Sequence, residues 1–87
     1  MNTFKLTIAS PHGNLFSGDV MSISLRGIEG ELAVMAGHIP FVTAIQPCDC
    51  RLILENGEAK TAHTEGGILT VAKEKVIFLS GRTEFID

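Results

Sequence analysis

Eighty-seven residues are too few for two separate cores, so residues 1–87 are expected to form one domain. Hydrophobic residues at 45% and charged residues at 20% describe a globular chain rather than a disordered one. A net charge of −3 lacks the basic surplus of a nucleic-acid binder and disfavours an anionic lipid surface.

The first residues, Met1-Asn2-Thr3-Phe4-Lys5, carry neither the basic region nor the apolar run of a signal peptide. Phe4, Leu6 and Ile8 then alternate with Lys5 and Thr7, the period of a strand with one buried face. Ser10-Pro11-His12-Gly13-Asn14 reads as a tight turn. Met21, Ile23 and Leu25 alternate with Ser22, Ser24 and Arg26, and Leu52 and Leu54 with Arg51 and Glu55. Asn56-Gly57 is the strongest hairpin signal, since both residues tolerate positive φ. Lys75–Ser80 is nearly all apolar, as expected of a strand covered on both faces. Its core, Val76-Ile77-Phe78-Leu79, is far too short to span a bilayer. Short strands at close spacing, with no long apolar stripe at helical period, predict an all-β sandwich or barrel.

Catalytic and metal-binding patterns are sparse. His12, His38 and His63 fall on separate turns or strands. Ser10 and His12 lack the third group that would orient a general base. Cys48-Asp49-Cys50 offers one cysteine pair where a structural zinc site needs four ligands, and on a strand the two thiols are expected to be small semi-buried core groups. Two cysteines suit a reducing compartment. Gly27-Ile28-Glu29-Gly30 and Gly66-Gly67 lack phosphate-loop spacing and are read as turns or close backbone approaches. No catalytic residue and no cofactor is expected.

One segment is distinctive: Glu29-Gly30-Glu31-Leu32-Ala33-Val34-Met35-Ala36-Gly37-His38-Ile39-Pro40-Phe41-Val42-Thr43-Ala44-Ile45. It resembles the signature of F-type ATP synthase epsilon subunits, roughly EGELGVLPGHAPLLTAL. Phe16-Ser17-Gly18, Gly66-Gly67-Ile68-Leu69-Thr70-Val71 and Lys75-Val76-Ile77-Phe78-Leu79 resemble further family motifs in the same order. Ala33, Ala36, Cys48 and Glu65 depart from the pattern. Most relatives continue into a helix-turn-helix that can inhibit ATP hydrolysis, whereas this chain stops at Asp87. Whether it is naturally short or cut after its sandwich stays open.

The resemblance implies a flattened two-sheet β-sandwich of about ten short strands. It implies a non-catalytic central-stalk subunit on the cytoplasmic face of the membrane, between the gamma subunit and the polar loops of the c ring, coupling ion-driven rotation to ATP synthesis. Carried over by position, the ring contacts are Glu29, Gly30, Glu31, Leu32 and His38, and the gamma contacts Ser10 and Thr43. Phe4, Leu6, Ile8, Ile23, Leu25, Leu52, Leu54, Leu69, Val71, Ile77 and Leu79 are expected in the core or against gamma. The alternative is a stand-alone all-β module that binds a protein or a small ligand.

Overall fold

The computed structural model describes residues 2–86; Met1 and Asp87, the bounds of the expected domain, lie outside the described residues. Nine strands follow in chain order: β1 (Phe4–Ser10), β2 (Gly13–Gly27), β3 (Gly30–Met35), β4 (Phe41–Ile45), β5 (Cys48–Leu54), β6 (Ala59–Thr64), β7 (Gly67–Val71), β8 (Lys75–Ser80) and β9 (Thr83–Phe85). None of the described residues is helical. The all-β expectation holds, with nine strands in place of about ten. Extents of 30 × 27 × 22 Å make the flattening mild.

Hydrogen bonding runs through all nine strands, and β2 is the reason. Its N-terminal part pairs with β1, from Gly13↔Ser10 to Val20↔Phe4. Its C-terminal part pairs with β5 on one side, Val20↔Leu54 to Ser24↔Arg51, and with β3 on the other, Ser22↔Met35 to Gly27↔Gly30. One layer is therefore β4-β7-β8-β1 joined to the start of β2, and the other is β3, the end of β2, β5, β6 and β9. β1 and β8 are parallel; the remaining pairings are antiparallel. Inner faces from both layers supply one apolar cluster: Leu6, Ile8, Leu69 and Phe78 from the first meet Ile23, Leu52, Val34 and Ala62 from the second.

The period-two reading succeeds in β1, where Phe4, Leu6 and Ile8 are buried, and fails where β2 changes layer. The register advances from Val20 to Ser22 on β2 while it moves only from Leu54 to Ile53 on β5. Met21 is thus the extra residue of a β-bulge, which bends the strand and raises its twist. Val20, not Met21, joins Ile23 and Leu25 in the core. Leu54 is only half-buried.

β8 is covered on one face. Val76 and Phe78 are buried, whereas Ile77 is half-buried and Leu79 is 54% exposed. The expectation of a strand buried on both sides is corrected: the apolar run reflects an inner core row and an outer apolar row.

Two turns show how local chemistry sets the register. Pro11-His12 connects the pair Ser10↔Gly13, and Ser10 Oγ accepts from the His12 amide at 3.2 Å. At Asn56-Gly57 only the glycine takes positive φ, 90°. The Gly57 amide donates to Leu54 O at 2.8 Å and the Leu54 amide to Glu58 O at 2.8 Å. This is a three-residue loop with a glycine bulge, the alternative to a two-residue turn with two positive φ angles.

Gly67 has a steric reason to be glycine. A Cβ there would land inside contact distance of the Leu79 carbonyl oxygen on β8, and neither backbone can yield without breaking the β7–β8 ladder. Gly67→Ala is expected to destabilise the chain by about 2–4 kcal/mol, whereas Gly81→Ala, whose Cβ meets nothing within 4 Å, stays within about 0.5 kcal/mol. Urea unfolding of both variants checks this, and equal effects would refute it.

Candidate functional site

The outer faces of the two layers differ in chemistry. On β4-β7-β8-β1, residues that alternate with the core form two cross-strand rows. One runs Ala44, Ile68, Leu79, Ala9, and the other Val42, Thr70, Ile77, Thr7. Neither row holds a charged side chain. Val42 is 65%, Leu79 54% and Ile68 44% exposed, so three large apolar groups lie together on one sheet face. Isolated exposed apolar residues are ordinary, but a contiguous uncharged patch marks an interaction surface.

The outer face of the other layer carries several charged pairs, beside an uncharged row of Met35, Ser22 and Ile53. Glu31 on β3 faces Arg26 on β2, with Nη2···Oε2 at 3.1 Å. On β5 and β6, Asp49 Oδ1 lies 2.9 Å from His63 Nδ1, and Glu65 lies 4.0 Å from the other ring nitrogen. His63 is paired across the strands with Glu84 on β9, whose carboxylate binds Arg82 at 2.7 Å. That guanidinium holds the exposed Glu84 carboxyl below its ordinary range, first through the hydrogen bond and then through charge. Alternating signs across strands suit a solvated surface.

The residues singled out in the sequence do not converge on one spot. Glu29, Gly30, Glu31 and Leu32 lie at the β2–β3 hairpin, where Gly30 takes a φ of 130°. An open groove of about 610 Å³ runs beside Glu31 and Leu32, bounded on its far side by Pro47, Cys48 and Arg51. His38 lies beyond the opposite end of β3. Its amide donates to Met35 O at 3.2 Å, its ring sits 5.1 Å from that of Phe41, and its Nδ1 lies 3.0 Å from Ile39 O. It borders a separate open cleft, between Asn2–Lys5 and the Lys73-Glu74 turn. Glu31 and His38 are therefore separated by the length of β3.

Ser10 closes the β1–β2 turn, and its hydroxyl donates to Gly13 O at 3.3 Å. Thr43 alternates with the outward-facing Val42 and is half-buried on the inner side of β4, opposite Leu69. Ser10 borders the apolar face and Thr43 lies behind it. The residues that build that face, Val42, Ile68 and Leu79, were absent from the expected contacts or were assigned to core and interface together. Their signal was present in sequence: each alternates with a core residue, and Val42 and Ile68 lie on strands that hold no charged side chain.

Cys48 is half-buried, with its Sγ accepting from the Arg26 amide at 3.4 Å. Cys50 is fully buried, and burial first, with Cys48 beside it, pushes its thiol from 9.0 up to about 11. Among the described residues no group of three or more His, Cys, Asp or Glu side chains has a metal-binding arrangement, and no helix is long and apolar enough to cross a membrane.

Two outcomes follow from this geometry. A thiol reagent at pH 8 is expected to label Cys50 only as fast as the fold opens, and rapid labelling of both cysteines in the folded chain would contradict its burial. The raised thiol also sets a sign: above the ordinary value of 9.0 the unfolded chain loses this proton while the folded chain holds it to about 11, so stability falls across that window. Cys50→Ala should flatten that part of the pH profile, as read by thermal unfolding.

The chain matches the family described as ATP synthase, Delta/Epsilon chain, beta-sandwich domain over residues 3–86. It is 36% identical over 85 residues to proteins named ATP synthase epsilon chain from Clostridium perfringens strains SM101 and ATCC 13124. The match covers 98% of this chain and 64% of each relative, so the chain spans just under two thirds of their length. A chain of the Euglena gracilis mitochondrial ATP synthase, solved as OSCP/F1/c-ring, has the same fold, with a TM-score of 0.91, 24% identity, and coverage of 100% of this chain and 57% of that one. A chain of the Tetrahymena thermophila mitochondrial ATP synthase central stalk/c-ring superposes with a TM-score of 0.74 at 14% identity, covering 92% and 64%. With 84 consecutive residues inside the family's bounds and every motif in family order, the chain belongs to the ATP synthase delta/epsilon-chain β-sandwich family.

Proposed function

We propose that this chain is a non-catalytic rotor subunit of an F-type ATP synthase, joining gamma to the c ring so that ion-driven rotation of the ring reaches the shaft. In this reading residues 1–87 act as one unit, peripheral to the membrane on its cytoplasmic face. The observation that carries the reading is the contrast between outer faces: β4-β7-β8-β1 carries an apolar patch around Val42, Ile68 and Leu79, with Lys5 and Lys75 at one end, and the other layer carries the paired charges. A rotor coupler needs a desolvated grip on the shaft, where apolar area supplies affinity. It also needs polar contacts on the ring, where charge complementarity sets register more than affinity. The apolar face is assigned to gamma, with Val42, Ile68 and Leu79 at its centre, Ser10 at its border and Thr43 supporting it from behind.

The ring contacts then share one element. Glu29, Gly30, Glu31 and Leu32 at one end of β3 and His38 at the other reach a common partner only if that partner lies along β3. β3 has six residues, or about 20 Å at ~3.3 Å per residue. It pairs with β2 alone among the described strands, so its second edge is open along that length. Glu31, exposed and held by Arg26, can present a carboxylate to a basic loop there.

Capture by the cognate gamma subunit tests the assignment. The unaltered chain binds, Glu31→Ala and His38→Ala bind equally well, and Leu79→Asp binds about thirtyfold or more weakly, the loss expected when a charge enters the centre of an apolar interface. Leu79 is more than half exposed, so its variant should keep the unfolding profile of the parent. Failure of the unaltered chain to bind overturns the rotor reading in favour of a stand-alone module. Undiminished binding by Leu79→Asp removes the apolar face from the gamma contact.

A further inference from the structure

We propose that Asn56 is a site of spontaneous modification: its side-chain amide converts to aspartate and isoaspartate, at a rate set by opening of the β5–β6 hairpin. The inference is independent of the rotor reading. In the reaction the Gly57 amide nitrogen loses its proton to base and attacks Cγ of Asn56. A C–N bond forms, the Cγ–Nδ2 bond breaks, ammonia leaves, and a five-membered imide closes. Water then opens the imide at either carbonyl, so that the overall change is asparagine plus water to a carboxylate plus an ammonium ion, the departing ammonia taking up the released proton. Glycine after the asparagine is the most permissive neighbour, because no Cβ obstructs the ring closure.

Position favours Asn56 over the other asparagines. Glu55, Asn56, Gly57 and Glu58 are all exposed at the hairpin tip, so water and base reach the site. Asn2 and Asn14, the other two asparagines, are followed by Thr3 and Leu15, whose side chains crowd the attacking nitrogen.

Hydrogen bonding in the closed hairpin works against the reaction. The nitrogen that must attack is donating its proton to Leu54 O at 2.8 Å, so deprotonation means losing that bond. The Leu54 amide donates back to Glu58 O at 2.8 Å, and Gly57 is held at a φ of 90°, which ties down the backbone that must rotate for attack. Asn56 Oδ1 accepts from the Glu58 amide at 2.9 Å. That contact polarises the carbonyl in favour of attack, but it also fixes the side chain. Two restraints on the nucleophile outweigh one polarising contact on the electrophile, because the carbonyl gains nothing until the nitrogen is free and aligned. The modified hairpin is altered in turn. Isoaspartate routes the backbone through an extra methylene, so the bonds from the Gly57 amide to Leu54 O and from the Leu54 amide to Glu58 O cannot both re-form and the adjoining rung Ile53↔Ala59 frays.

The test compares the folded chain with a synthetic peptide of residues 51–60 in one mildly alkaline buffer. Intact mass, which rises by about 1 Da on conversion, and peptide mapping give the rate at each asparagine. The folded chain should convert at Asn56 about 5- to 30-fold more slowly than the peptide, the factor expected for one or two hydrogen bonds that must open first. Asn56→Ser should abolish the mass gain in both. Equal or faster conversion in the folded chain overturns the gating by the hairpin. A mass gain that maps elsewhere, or no product at Asn56 in the folded chain once the peptide has converted fully, overturns the site.

Discussion

β2 must serve two layers, and the rest of the sandwich depends on how it does so. Fifteen residues long, it lies against β1 for its first half and between β3 and β5 for its second. A regular strand of that length would keep its inward residues on one side of one sheet. The extra residue at Met21 lets Val20 and Ile23, an odd number apart, both reach the core. A one-residue slip exchanges the two faces of a strand; here that slip is placed where the strand changes layer, so each half keeps its apolar side inward. The single cluster that runs from Phe78 through Leu6 to Leu52 exists because the bend brings the layers face to face.

Once both inner faces are committed to one core, only the outer faces and edges are left for partners. The contrast between the outer faces is hard to ascribe to folding. Val42, Ile68 and Leu79 stay exposed and gain nothing from the closed sandwich, while a charged ladder such as that through Arg26, Asp49 and His63 keeps a sheet soluble at little cost. A chain that met only solvent would have no use for the difference. The closed inner core and the unsatisfied outer face are complementary requirements of the proposed rotor coupler: rigidity from the first, adhesion from the second.

Class and motif order were legible in the sequence, because alternation in β1 and in β5 reports a half-buried sheet directly and the glycines mark its turns. Three features were not. Alternation cannot show where it breaks, so Met21 reads as sharing a face with Ile23 and Leu25, whereas Val20 is the residue that joins them in the core. A run such as Val76-Ile77-Phe78-Leu79 is apolar whether its second face meets protein or remains open, so Ile77 and Leu79 could not be divided from Val76 and Phe78. Motif spacing carries no direction, so Glu31 and His38, seven residues apart, are carried over together as ring contacts with no sign that the length of β3 lies between them. Each of these depends on pairing between residues distant in sequence.

The end of the described chain shows the same dependence on distant pairing. Thr64 on β6 and Ser80 on β8 are buried, and their hydroxyls lie 2.9 Å apart. The Thr83 hydroxyl donates within reach of both, at 2.9 Å and 2.6 Å, and the Arg82 amide donates to Ser80 Oγ at 3.1 Å. Among the described residues no buried side-chain polar atom lacks a partner, so this cluster costs no unmet hydrogen bond. It ties β6, β8 and β9 through groups that bond only in one geometry, where an apolar contact would permit sliding. β9 then crosses to the other layer: Phe85 meets Phe16 of β2 edge-on, ring centroids 6.2 Å apart, and Lys60 stands 5.8 Å over its ring. A three-residue strand cannot hold two layers together by its ladder alone. Anchored by buried hydroxyls at one end and an aromatic contact at the other, it ties the two layers together, the rigidity that the proposed coupling role requires.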